Sequence, residues 1–207
     1  MAMALAVCTA LGACKKSGNN ASSLDTNTAG ATATAPSSLD TTAAGGAVAS
    51  DTAAGGWSDA DVLAWLTAAN NGEISEGKLA ERKATNPAVK SFARRMVTDH
   101  TQMLKEGNAL AKKLKVDPNT STKDDVKDLM KDNQDAVQDL SKKTGKDFDE
   151  DYMEKQVDDH QKVVDKLNDL SGKTQNAQLK ALMQKALPKV QSHLNSAKDI
   201  KDNRLQS

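Results

Sequence analysis

The stretch NPAVKSFARRMVTDHTQMLKEGNALAKKLK, Asn86 to Lys115, decides the fold. Its apolar and small residues recur as Val89, Ala93, Met96, His100, Met103, Gly107, Leu110 and Leu114. Steps of four and three alternate over almost four heptads, as they do along the seam of a helical bundle. Asn86 is a natural N-cap, and Pro87 fits the first helical position, where a missing N–H costs nothing. Asp117-Pro118-Asn119-Thr120 reads as the turn that ends the segment. A histidine, His100, stands in the middle of this stripe.

The same grammar extends in both directions. Upstream, Ser58 caps a helix reaching to about Thr85, with Asp59 and Asp61 in its first turn. Its inward register runs Val62, Leu66, Ala69, Glu73, Glu76, Ala80. Downstream, a lysine- and aspartate-rich helix over about 122–143 carries the thinner stripe Val126, Leu129, Met130, Val137, Leu140, and Gly145 is expected to end it. A fourth helix over about 146–170 reads Phe148, Met153, Gln156, His160, Val163, Leu167, Leu170, closed by Ser171-Gly172. A fifth over about 176–201 reads Leu179, Leu182, Ala186, Val190, His193, Ala197, Ile200. Pro188 inside it should kink the helix or free the carbonyl of Gln184. Short connections make successive helices antiparallel neighbours. The expected fold is therefore all-α: an antiparallel bundle of four core helices plus one shorter helix over 57–203.

Composition agrees. Only 2% of residues are aromatic, so sheet has little to build on, while Ala, Leu, Lys and Met favour helix. The chain has 207 residues, 28 of them basic and 28 acidic. Zero net charge gives no electrostatic reason to seek nucleic acid. The methionines serve as gap filler. No phosphate-binding glycine loop, Gly-x-Ser-x-Gly or cysteine pair is present.

The beginning of the chain has a different character. MAMALAVCTALGAC is uncharged and too short to span a bilayer, which takes roughly 20 apolar residues. It reads as a signal-peptide core over 1–13. Leu11-Gly12-Ala13-Cys14 resembles the bacterial lipobox, which implies that Cys14 is acylated and becomes the mature N-terminus. The opening lacks the Lys or Arg usual in such signals, which points to a start further upstream. Lys15 after the cysteine leans towards the periplasmic face of the outer membrane, with a soluble periplasmic protein as the alternative. Residues 14–56 are almost all Ala, Ser, Thr, Gly, Asn and Asp, with SSLDT at 22–26 repeated at 38–42. Such a segment buries too little apolar surface to offset its ordering entropy and is expected to be a disordered tether. About 42 residues of flexible chain reach roughly 35 Å.

Four stretches together carry a resemblance: NGEISEGKLA at 71–80, NPAVKSFARRMVTDH at 86–100, TGKDFDEDYMEKQVDDH at 144–160 and LKALMQKALPKVQSHL at 179–194. Their order and spacing resemble the exported bacterial proteins grouped as domain of unknown function 4142. Matching positions are Glu73, Pro87, Met96, Asp99, His100, Gly145, Phe148, Asp149, Tyr152, His160, Pro188, His193 and Leu194. The resemblance implies a ferritin-like bundle and no established reaction.

The chain has three histidines, each preceded at the third position by valine: Val97 to His100, Val157 to His160, Val190 to His193. All three fall on core stripes of different helices. Folding the first helix onto the second about Asn86 brings Glu73 level with His100. The same operation about Lys173 leaves His193 about 10 Å off the level of His160, at 1.5 Å per residue. Di-iron bundles need Glu-x-x-His on two helices and two further glutamates, and valine occupies those positions here. Asp99 and Asp159 point about 100° away from the adjacent histidines.

Two readings remain open. Glu73, His100 and His160 form a buried hydrogen-bonded cluster that fixes helix register, or they hold a single transition metal, with His193 as a further candidate ligand. The first goes with a non-enzymatic envelope lipoprotein in a binding, structural or stress-related role, anchored to the membrane at Cys14 and engaging an unidentified protein or ligand. The second goes with a periplasmic metal-binding or oxidoreductase protein. Neither involves nucleic acid.

Overall fold

The structure is a computed structural model that describes residues 56–205 and the backbone of Thr52 and Ala53. The signal at 1–13, Cys14, the SSLDT repeat and nearly all of 14–56 lie outside the described residues. Thr52–Ala53 pairs antiparallel with Trp57–Ser58. Five α-helices follow among the described residues: α1 (Asp59–Lys83), α2 (Pro87–Leu114), α3 (Asp124–Lys142), α4 (Gly145–Lys173) and α5 (Ala177–Asn203). Among the described residues no helix is long and apolar enough to cross a membrane.

The helix starts follow their local sequence. Ser58 Oγ accepts the N–H of Asp61, and Asp61 Oδ2 accepts the N–H of Ser58, so two orphan donors are satisfied reciprocally. Asn86 Oδ1 takes the N–H of Ala88 at 2.8 Å, with Pro87 in the first turn. The boundary at Ser171-Gly172 is corrected. α4 runs on to Lys173, its end set by buried Thr174, whose N–H reaches the Leu170 carbonyl at 2.9 Å. Gly145, with φ +58°, begins α4 rather than ending α3; at that left-handed angle a side chain would be strained. Pro188 lies within an unbroken α5 on its exposed face, as does Gln184, so the carbonyl that loses its donor can turn to water.

α1 packs along α2, and α4 along α5, as two antiparallel hairpins. α2 meets α5 and α1 meets α4 to close the four-helix core. The shorter α3 lies outside this core against α1. There Asn133 Nδ2 donates to the Ala68 carbonyl at 2.9 Å, its side chain occupying the space left by Gly72. Val126, Ala136 and Leu140 are the buried residues of α3, while Met130, expected on its stripe, is 59% exposed. α1 is consequently covered on several faces, and its burial does not follow a single stripe. α1 and α2 pack tightly at Gly77, where a Cβ would stand 2.9 Å from Val97 Cγ2 and 3.2 Å from the Ala93 carbonyl.

The core has two apolar ends. One gathers Trp57, Leu63, Leu167, Leu170, Leu179 and Met183. The other gathers Leu79, Phe92, Met96, Phe148, Tyr152 and Met153. Between them, one level of every core helix carries buried polar residues: Asn70, Glu73 and Glu76 from α1, His100 from α2, Gln156 and His160 from α4, and His193 from α5. A polar layer in the middle of an apolar core is costly unless its groups find partners, so its bonding pattern is informative.

Candidate metal centre

His100, His160 and His193 form a nearly equilateral triangle. Their ring centroids are 5.5 Å, 5.4 Å and 5.4 Å apart. One ring nitrogen of each lies within 4.8 Å of the other two. All three rings are buried.

His193 corrects the register expected from sequence. The turn after α4 is centred on Thr174–Asn176 rather than Lys173, which removes part of the predicted 10 Å offset. Side chains also lean towards the N-terminus of their own helix. On these antiparallel helices His193 leans towards the turn and His160 away from it, which brings the rings to one level.

Each ring has one nitrogen engaged outside the triangle. His100 Nδ1 meets Asn70 Oδ1 at 3.0 Å. His160 Nδ1 meets the Gln156 carbonyl at 2.9 Å. His193 Nε2 meets Asp99 Oδ2 at 2.8 Å. All three partners are acceptors, so each engaged nitrogen carries the proton and donates. The remaining nitrogens, His100 Nε2, His160 Nε2 and His193 Nδ1, are then lone pairs, and each is buried without a hydrogen-bond partner. No hydrogen bond joins the rings to one another.

The rings are neutral at ordinary pH. Burial pushes His160 down to about 4, although the Gln156 carbonyl favours the cation. Burial does the same to His193, also about 4, against the pull of Asp99. His100 is held well below its ordinary value by burial, then by His160 and His193. Asp99 is raised by burial, but its bonds to Lys189 and His193 outweigh this and hold it below the usual carboxylate range.

Glu73 takes a different place from the one expected. Its Oε1 lies 3.5 Å from His160 Nδ1, the outward nitrogen, so it stands behind that ring and outside the nitrogen triangle. Gln156 Nε2 donates to Glu73 Oε2 at 2.9 Å and lies 3.3 Å from Glu76 Oε2. Burial first, then the charge of Asp159, pushes Glu73 up to about 8. Glu76 is raised well above its ordinary value by burial and by Glu73. The site therefore has three nitrogen donors, with one carboxylate behind His193 and another behind His160.

Asn70 and Asp99 escape a reading by helix stripes, and Gln156 stands on a stripe that does not show its role. Asn70 follows Ala69 on α1 and leaves no periodic mark. Gln156 acts through its backbone as well as its amide. Asp99 does point away from His100, but towards α5, where it serves His193; a test against its own helix alone misses it.

The family model described as Domain of unknown function (DUF4142) matches residues 42–200, and the chain belongs to that family. No curated protein and no solved structure matches the chain.

Proposed function

We propose that this DUF4142 member is a metal-binding protein, and that His100, His160 and His193 hold one first-row transition ion through His100 Nε2, His160 Nε2 and His193 Nδ1. The observation that carries the reading is the division of labour in each ring, one nitrogen donating to a fixed acceptor and the other buried without a partner, in three histidines that offer nitrogens within 4.8 Å of one another. Metal-ligating histidines characteristically donate their second N–H to a carboxylate or carbonyl, which fixes the tautomer and raises ligand basicity. A register-fixing cluster would instead spend its lone pairs on internal donors, and these three have none.

Three imidazoles suit zinc, copper or iron, and leave a tetrahedral ion one open position. With bonds of about 2.0–2.1 Å, a tetrahedral centre spaces its nitrogens about 3.3 Å apart. Ligand capture would shorten the separations between these nitrogens by up to roughly 1.5 Å. The ion's charge would be offset by Asp99, and by Glu73 once the ion favours its ionised form. The bridging glutamates of a di-iron centre are not in this triangle, which favours a single ion.

The same proposal places the bundle in the cell envelope, tethered by acylated Cys14. The lipobox-like LGAC and the Ala/Ser/Thr-rich segment support that part.

Elemental analysis of untagged protein, dialysed after exposure to Zn²⁺, tests the centre. One ion per chain is expected, lost in each of His100→Ala, His160→Ala and His193→Ala. Absence of stoichiometric metal from the wild type would overturn it. Palmitate labelling that persists in Cys14→Ser would overturn the anchor.

A further inference from the structure

Gly107 is a buried glycine on the inward stripe of α2, and a Cβ built on it meets nothing within 4 Å. The other α1 and α2 glycines differ. Gly72 and Gly77 are small because Asn133 and Val97 occupy the space. At Gly107 no neighbour demands smallness, and helix propensity argues against glycine. It lies in the wall of a cavity of about 140 Å³.

The cavity is walled by Leu66, Met103, Val163, Leu182, Met183 and Ala186. His100 and Asn70 line its buried end. On the solvent side Glu106 of α2 and Lys185 of α5 form an ion pair at 2.8 Å. Close packing is the rule in protein interiors, and an unfilled apolar space forfeits contacts on every side. An apolar cavity of about 150 Å³ is large enough to hold benzene.

We propose that this cavity is a binding site for a compact apolar molecule of about benzene's size bearing one hydroxyl, seated with the hydroxyl against the His100–Asn70 end. Apolar walls with a few convergent polar groups are the usual make-up of a small-ligand site. The proposal rests on the metal reading for one part only: His100 both lines the cavity and offers a nitrogen to the triangle, so the hydroxyl contact is linked to the ion through that ring. The body of the ligand needs no metal.

Benzene and phenol, titrated into the full chain by calorimetry, test the site in metal-free and Zn²⁺-loaded protein. Both are expected to bind metal-free protein saturably at one site. Gly107→Leu, which fills the cavity from a position that favours helix, is expected to weaken both at least tenfold while retaining stoichiometric Zn²⁺. Zn²⁺ is expected to tighten phenol at least tenfold and to leave benzene unchanged. No saturable binding to metal-free wild type, or equal binding to Gly107→Leu, overturns the site. Equal phenol affinity with and without Zn²⁺ overturns the hydroxyl contact. If the chain takes up no Zn²⁺, the metal reading fails together with that contact, and the benzene arm still decides the cavity.

Discussion

Asp99 on α2 and His193 on α5 are joined by a 2.8 Å hydrogen bond from Nε2 to Oδ2, and that bond turns Nδ1 of the ring inward. The carboxylate is itself anchored by Lys189 Nζ at 2.8 Å. Asp99→Ala should lower metal affinity about 10–100-fold with the three ligands intact. Competition with a chelating dye measures this. Asp165→Ala, whose carboxylate meets Gln161 on an exposed face, is the control and should bind as the wild type does.

Loading the centre should stabilise the fold. An ion at a hundred times its dissociation constant adds about 2.7 kcal/mol. At roughly 2–4 °C per kcal/mol for a chain of this size, Tm should rise about 5–10 °C. Calorimetric scans with Zn²⁺ and with excess EDTA should bracket that interval. A Tm indifferent to both would contradict a folded-state site.

Two glycines should respond in opposite senses to the same substitution. Gly77→Ala drives a methyl against stiff Val97 and the Ala93 carbonyl, and should lower stability by about 1–3 kcal/mol. Gly107→Ala adds helix propensity into open space and should raise it by about 1 kcal/mol. Urea unfolding monitored by circular dichroism separates the two.

Stability of the metal-free protein should depend on pH through Glu73. Its carboxyl is pushed up to about 8 in the fold, whereas an unfolded glutamate ionises near its ordinary 4.5. Between those values the folded state holds a proton that the unfolded state has released, so this group's contribution is full below 4.5 and is lost as pH rises towards 8. Glu73→Gln keeps the neutral shape and should flatten that fall. The imidazoles act oppositely. Unfolded histidines protonate below about 6.5 and the buried His160 and His193 resist until about 4, so their contribution is lost as pH falls through that window. Unfolding midpoints between pH 4 and 8 should show a maximum that Glu73→Gln broadens on the alkaline side.

Much of the fold was legible because α2 and α5 each bury one stripe against the core, and a single buried stripe imprints a single period. α1 was harder, since α3 covers the face that water would otherwise mark with charge. Met130 misled for the converse reason: an apolar residue in a thin stripe looks buried, yet α3 is too peripheral to cover it. The three histidines were visible as core positions, and their convergence was half visible. Counting along rods set Glu73 level with His100. It left His193 off the level of His160, because one connection was centred too early and the lean of side chains along antiparallel helices was left out. Glu73 was correctly read as inward, but inwardness does not say which edge of an imidazole a carboxylate meets.

The triangle draws one corner from the α1–α2 hairpin and two from the α4–α5 hairpin. It is therefore a clasp rather than a pocket: neither half owns it, and sliding one hairpin by a single helical turn would undo it while sparing the bonds inside each half. An ion bound there would gauge, by its occupancy, whether the two halves are shut.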